Sequence, residues 1–369
     1  MTATGPRNGT GDVDVVALGE SMVTFLPSRP GRLADVPAFT RAIGGAESNV
    51  ACMLAAAGHS ARWVSRVGAD GFGDHLLETI GAYGVDVTSV RRDPHRPTGI
   101  YFRTAGDRAT DAHEVAYYRA GSAASAMAAG TVDESALRAC RVLHLSGITA
   151  ALSTGCLELL RELTAPRPGR PLVSFDVNHR PGLWRTGAGA SGDESGGGGQ
   201  GSGGDGGSGG ARVLLELARG ADLVFVGEDE AEAAWGTTGG PGAIRDLLPE
   251  PAVLVVKQGA EGATAFHPGG STSVPSLRVD VVAPVGAGDA FAAGFLSATL
   301  RGLPVRDRLR HGHLMAAAAL TVPGDLAVPA PRGHADRLAA LDEAAWGRLR
   351  LGPGWTRTAE GAEEEVRTP

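Results

Sequence analysis

Among the 34 basic residues of this 369-residue chain there is a single lysine, Lys257. A phosphate-binding loop of the Gly-Lys-[Ser/Thr] type needs its lysine directly after a glycine. Lys257 follows Val256, so nucleotide hydrolases of that class are excluded. Basic residues never run beyond pairs, and 41 acidic residues bring the net charge to −7. Such a surface repels a phosphate backbone, so nucleic acid is not an expected partner. Cysteine is scarce too. Cys52, Cys140 and Cys156 form no CxxC pair and leave one over, which reads as thiols in a reducing compartment rather than a disulfide frame or zinc site. No apolar run approaches the roughly 18 residues needed to span a bilayer. The opening MTATGPRNGTGDVD has neither a basic nor an apolar leader region. The expectation is a cytoplasmic protein with no membrane partner.

What is abundant is small and apolar. Hydrophobic residues make up 43% of the chain against 20% charged, enough to bury a large core. Of the 56 glycines, fourteen fall between 187 and 210. That stretch has too little apolar area to offset its ordering entropy, so it reads as a flexible surface insertion. Residues 1–12 and 354–369 read as disordered tails. Between them, short all-apolar runs at 13–18, 142–145, 172–177, 223–226 and 253–256 predict parallel strands covered on both faces. A further strand is predicted at 62–67. Helical patterns at 49–57, 74–83, 155–163, 287–300 and 314–320 alternate with these strands, as in a doubly wound sheet. Residues 98–103 and 114–119 are β-prone runs flanking a polar loop, and predict a hairpin projecting from the main layer. The segment 27–39 reads as irregular or edge structure.

Five clusters could carry chemistry. The first is Gly286-Ala287-Gly288-Asp289, which opens the apolar helix at 287–300. Small residues let a ligand approach the backbone, and a helix N-terminus offers unpaired N–H groups to a phosphate. Asp289 in that turn suits a general base, although plain helix capping would also use an aspartate there. Dinucleotide binding fails on spacing, because G-x-G-x-x-G from Gly286 meets Phe291 and from Gly71 meets Leu76. The second cluster, Asp176-Val177-Asn178-His179-Arg180, follows a strand. Alternation puts 176, 178 and 180 on one side and leaves His179 to a structural role. The third, Lys257 to Gly262, frames either a nucleotide or merely a hairpin. The fourth, Gly44-Gly45-Ala46-Glu47-Ser48-Asn49, is another glycine-rich start to a helix. A weaker fifth, Gly227-Glu228-Asp229-Glu230, suits Mg²⁺ or simple capping.

In this order the motifs resemble the ribokinase (PfkB) family of carbohydrate kinases over about residues 13–330. GAGD at 286–289 with Phe291 and Gly294 is similar to that family's C-terminal signature. Gly44-Gly45 through Asn49, with Gly58 and Gly68, resembles the N-terminal one. Three strings, Pro97 to Phe102, Tyr117 to Ala123 and Asp176 to Trp184, are most similar to its 2-keto-3-deoxygluconate kinase branch.

The resemblance implies a three-layer α/β/α sandwich with a mostly parallel central sheet and a small β lid. One kinase domain would span 13–345, with its lid drawn from about 20–43 and 97–119. The implied reaction is ATP-dependent phosphorylation of the 6-hydroxyl of 2-dehydro-3-deoxy-D-gluconate. Asp289 would be the base, and Gly286, Ala287 and Gly288 the anion hole. Gly45, Asn49, Tyr101, Tyr117, Arg119, Arg180 and Asp325 would contact the sugar acid. Asn178, Arg180, Lys257, Gly259 and Gly262 would serve ATP together with 286–288. Glu230 would act on Mg²⁺ through water, and the lids would support a homodimer or higher oligomer. Two positions depart from the family. Ala283 stands where most relatives carry Asp, which leaves a monovalent-cation requirement open, and Gly227 replaces an Asn or Ser. A fructokinase or other ketose kinase is the alternative within the fold, and a non-catalytic sugar-binding regulator the alternative outside it.

Overall fold

The computed structural model describes residues 12–104, 114–185 and 206–357. The chain begins with β1 (Val13–Leu18), β2 (Met22–Pro27), β3 (Phe39–Gly44), α1 (Ala46–Ala56), β4 (Ala61–Val64), β5 (Arg66–Gly68) and α2 (Gly71–Ala82). Next come β6 (Arg91–Asp93), β7 (Ile100–Arg103), β8 (Val115–Tyr118), α3 (Glu134–Arg138), β9 (Cys140–Ser146), α4 (Gly147–Leu152), α5 (Thr154–Thr164) and β10 (Leu172–Asp176). The middle continues with α6 (Pro181–Trp184), α7 (Gly206–Gly220), β11 (Leu223–Gly227), α8 (Glu228–Trp235), α9 (Gly240–Leu247) and β12 (Val253–Lys257). The last part holds β13 (Gly262–His267), β14 (Gly270–Pro275), β15 (Arg278–Val279), α10 (Ala287–Leu300), α11 (Val305–Leu320), α12 (Arg332–Ala339), α13 (Glu343–Arg348) and β16 (Arg350–Leu351).

The main sheet has eight strands in the order β14-β13-β12-β11-β10-β9-β1-β4. Every pairing from β12 to β4 is parallel, and the β12-β13-β14 edge is antiparallel. Its parallel strands are largely apolar on both faces, and alternation sorts the residues. Val16, Val224 and Val256 join a core with α3–α5 and α7–α9. Val15, Phe225 and Val255 join one with α1 and α10–α13. The result is the expected three-layer α/β/α sandwich.

A second sheet, β3-β2-β7-β8, stands where the lid is expected. Its β7-β8 pair is the antiparallel hairpin read from the sequence. Phe25 stacks on Phe102 with ring centroids 4.7 Å apart, and Phe39 meets Phe102 edge-on at 5.2 Å. This aromatic cluster gives a small sheet the apolar contact it needs to hold together.

Several boundaries differ from the sequence reading. The strand expected at 62–67 is two strands, because β5 leaves the main sheet at Ser65 and pairs with β6. The 27–39 stretch joins β2 to β3, which pair antiparallel. The stretch 187–210, read as a surface insertion, includes the first residues of α7 at Gly206–Gly210. Helix is possible there because Gly210 lies flat against Trp184, where a Cβ would come within 2.6 Å of the indole. The rest of that stretch, and the loop at 105–113, lie outside the described residues. So does most of each expected tail, but Trp355 is ordered and packs on the core of α10–α13. Among the described residues, no helix is long and apolar enough to cross a membrane.

Candidate active site

Strand order brings the C-terminal ends of β1, β10, β11 and β12 to one rim, where the N-termini of α1 and α10 also arrive. Gly286 makes the second arrival possible. Its φ is 74°, and a Cβ would lie 2.3 Å from the Asp325 carbonyl oxygen, so only glycine fits. From Ala287 onward the first-turn amides have no intrahelical acceptor. Gly45, the N-cap of α1, is pressed against the Glu20 carbonyl oxygen in the same way, at 2.4 Å from a built Cβ.

The starts of the two helices are joined by a hydrogen bond: Asn49 Nδ2 donates to Asp289 Oδ2 over 2.9 Å. Asp289 is half-buried at the mouth of the cleft. Burial pushes its carboxyl up to about 7; Asp176 and Asp325 add to the rise, while Asn49 and Lys257 oppose it. A carboxylate poised near neutrality beside open amide donors can take a proton from a hydroxyl and steady a developing anion.

Lys257 closes β12 and reaches Asp176, at the end of β10, with Nζ 3.1 and 3.0 Å from the two carboxylate oxygens. Both side chains are largely buried. Burial opposes the ammonium's charge, but Asp176, Glu230 and Asp289 together outweigh it and raise its pKa. The ammonium also lies 3.7 Å from where a Gly288 Cβ would stand, so it faces the start of α10. Beneath it, His144 is pressed down to about 3 by burial and by Lys257, and is neutral. Asn178 is buried with a left-handed φ of 41°, and its Oδ1 has no protein partner. Gly259 and Gly262 turn the β12-β13 hairpin. At Gly262 a Cβ would meet the Val274 carbonyl oxygen at 2.2 Å, so its presence has a structural cause.

On the lid side, Tyr101 Oη donates to Asp325 Oδ2 over 3.2 Å, and Arg103 Nη2 lies 2.8 Å from Asp325 Oδ1. Burial raises the Asp325 pKa against the opposing effect of Arg103 and Tyr101. The Tyr117 ring sits 5.4 Å from Tyr101, and the Arg119 guanidinium lies over Tyr117 at 5.7 Å. Arg119 is ion-paired with Glu20.

The sequence reading put Arg119 and Arg180 together on one sugar acid, and the structure gives them different partners. Arg180 is half-exposed, donates to the His179 carbonyl oxygen over 3.1 Å and lies 3.6 Å from Glu230. Glu230 also accepts from the Gly227 amide over 2.8 Å, as a capping acid does. Among the described residues, no group of three or more His, Cys, Asp or Glu side chains is placed to hold a metal. Ala283 brings no carboxylate to the loop before α10.

Three residues of this cluster were given no role by the sequence reading, although Glu47 lay within its fourth motif. Arg103 is one. Glu20 directly follows Gly19 at the end of β1, and that position was its available signal. Glu47, in the first turn of α1, would pass for a capping acid. It is fully buried, accepts from Thr149 Oγ1 over 2.6 Å, and burial pushes it up to about 8. A cavity of about 300 Å³ lies elsewhere, lined by Leu143, Glu162, Arg170 and neighbours at the opposite ends of β9 and β10.

The chain matches the model of the pfkB family carbohydrate kinases over residues 12–184 and 206–331. It is 33% identical over 333 residues to the 2-dehydro-3-deoxygluconokinase of Thermoproteus tenax, covering 89% of this chain and 95% of that one. It is 34% identical over 319 residues to the 2-dehydro-3-deoxygluconokinase of Bacillus subtilis, covering 85% and 91%. The crystal structure of a PfkB protein from Polaromonas sp. JS666 superposes with a TM-score of 0.73 at 33% identity, covering 89% of this chain and all of the other.

Proposed function

The chain belongs to the pfkB family of carbohydrate kinases, and from that premise we propose that it transfers the γ-phosphoryl group of ATP to the 6-hydroxyl of 2-dehydro-3-deoxy-D-gluconate. The observation that carries this reading is Asp289. It is a carboxylate tuned to about 7 at the N-terminus of α10, aligned by Asn49 and facing Lys257. Asp289 takes the hydroxyl proton as the oxygen attacks the γ-phosphorus, and the bond to the β,γ-bridging oxygen breaks to release ADP. The amides of 286–288 hold the transferring group's oxygens, and the Lys257 ammonium offsets their charge. Asn178, whose side-chain oxygen is unpartnered, faces the nucleotide side with Arg180. Magnesium supplies charge neutralisation when it arrives with the triphosphate, and Glu230 fits it through water.

The sugar rests between Gly45, Asn49, Tyr101, Tyr117, Arg119 and Asp325. Tyrosine hydroxyls and a guanidinium suit a hydroxylated carboxylate. The two deoxygluconokinase relatives support the acid over a neutral sugar. A second reading, a ketose kinase, is favoured by the Glu20 carboxylate, which already matches the Arg119 charge. The exposed Val115, Tyr117 and Tyr118 on the outer lid strand support association through the lid.

A coupled ADP-release assay with Mg-ATP decides among 2-keto-3-deoxygluconate, its galactonate epimer, fructose and ribose. Preference for the keto-deoxy acids is expected. Preference for fructose or ribose overturns the substrate assignment and leaves Asp289 in place.

A further inference from the structure

Glu20 is 2% exposed and sits where the main sheet hands the chain to the lid, one residue past Gly19 and two before β2. It does not pair with either sheet's backbone ladder. Its carboxylate instead reaches the segment that leads out of the lid: Oε2 pairs with Arg119, and Oε1 accepts from Ser122 Oγ over 2.6 Å. The other lid crossing is held against it as well, since a Cβ at Gly99 would come within 3.0 Å of Oε1 and 3.5 Å of Arg119 Cβ.

The floor beneath Glu20 is fixed. Trp63, fully buried, donates its indole N–H to the Gly19 carbonyl oxygen over 3.0 Å. From Arg119 the contacts run outward to Tyr117, Tyr101 and Asp325, and Asp325 backs onto Gly286. One buried carboxylate therefore joins the rigid sheet to the wall of the sugar site.

We propose that Glu20 is a positioning residue for the sugar: it holds Arg119 and the 119–122 segment in one place, so the lid wall is set before substrate arrives. This rests on the kinase reading above. Arg119 is long and would otherwise be disordered or swing to solvent, because a buried guanidinium without an anion is strongly disfavoured. Its side chain is 9% exposed and Nε has no hydrogen-bond partner in the protein. Glu20 occupies one edge of the guanidinium and supplies the anion that lets it stay buried. Preorganising a side chain in this way raises affinity by removing the cost of ordering it on binding.

The test is a steady-state comparison of Glu20→Gln with the parent, using whichever sugar in the panel the parent turns over best. The glutamine keeps the side-chain volume and an acceptor for Ser122 but loses the charge. The sugar KM is expected to rise about tenfold, with kcat and the Mg-ATP KM within about threefold. A sugar KM unchanged within twofold overturns the proposal. So does an equal loss in both KM values and kcat, which is what a general loss of folding would produce.

Adding Glu20→Gln to Arg119→Met is expected to leave the sugar KM where Arg119→Met alone puts it, because Glu20 acts through Arg119. Effects that multiply overturn the idea. Should Glu20→Gln fail to fold, Ser122→Ala reads the same tether with a KM rise of about threefold. If the parent turns over no sugar in the panel, the kinase substrate reading falls first, and amide exchange over 115–122 still decides. Faster exchange in Ser122→Ala supports the tether, and unchanged exchange overturns it.

Discussion

Asn49 and Asp289 are 240 residues apart in sequence and joined by a 2.9 Å hydrogen bond that ties the start of α1 to the start of α10. The amide donates to the carboxylate, so it favours the ionised form and fixes which oxygen faces the cleft. Asn49→Ala is expected to lower kcat about tenfold and to move the acid limb of the pH–rate profile upward. A limb that stays in place shows that the bond does not act on the base.

Asp289, the proposed base, is expected to set that limb. Burial holds its carboxyl up to about 7, and a general base works only when ionised. kcat/KM is therefore expected to fall as the pH drops below about 7 and to level off above it. A limb near the ordinary carboxylate value contradicts the role. Asp289→Asn is expected to lower kcat by roughly 10²-fold or more with the circular dichroism spectrum unchanged. Unchanged turnover removes Asp289 as the base.

Lys257 offers a direct chemical readout because it is the chain's only lysine. An amine-reactive label can modify only that side chain and the N-terminal amine. Its ammonium lies in the cleft, held to Asp176 by contacts of 3.0 and 3.1 Å. Mg-ATP is expected to protect Lys257 from labelling, read by peptide mass, while the sugar alone protects it less. Equal protection by both moves Lys257 away from the nucleotide side. Lys257→Met is expected to destabilise by about 3–5 kcal/mol, since it leaves Asp176 buried without its cation. Adding Asp176→Asn is expected to recover much of that loss in urea titrations.

How far the sequence reached depended on the range of the signal. Parallel strands such as 223–226 and 253–256 declare themselves because both faces are buried. Gly286 declares itself because the start of α10 packs on the Asp325 backbone and leaves no room for a side chain. The β13-β14 hairpin stayed hidden. Its outer strand, Gly270–Pro275, is mostly exposed and rich in serine and threonine, so no apolar pattern marks it. Arg119 was found but its partner was not, because Glu20 lies 99 positions away and nothing local links the two. Pairings of this kind, like Lys257 with Asp176, are products of strand order.

Glu47 gives a stability effect with a definite sign. It is fully buried, and its carboxyl is pushed up to about 8, against about 4.5 for a free glutamate side chain. Between those values the folded protein holds a proton that the unfolded chain gives up, so stability falls as the pH rises. The contribution is complete below about pH 4.5 and lost as the pH passes about 8. Glu47→Gln mimics the protonated form, and its melting temperature is expected to fall less than the parent's between pH 5.5 and 8. Parallel melting curves for the two proteins contradict this.

Gly286→Ala and Gly58→Ala separate strain from function. Both glycines are left-handed, with φ of 74° and 87°, so each alanine carries roughly the same backbone cost of about 1–2 kcal/mol. Their surroundings differ. At Gly58, past the end of α1, the nearest atom to a new Cβ is Arg332 Nη2 at 3.5 Å, an ordinary contact with a flexible side chain. At Gly286 it is the Asp325 carbonyl oxygen at 2.3 Å, which is backbone and cannot simply turn aside. Either the start of α10 moves, taking its first-turn amides and Asp289 with it, or the 325 segment moves, taking the carboxylate that anchors Tyr101 and Arg103. Gly286→Ala is therefore expected to lower kcat at least tenfold and raise the sugar KM, beyond its effect on melting. Gly58→Ala is expected to lower the melting temperature with kcat and KM unchanged. If the two variants lose activity only in proportion to stability, the packing of Gly286 on Asp325 is not what aligns the site.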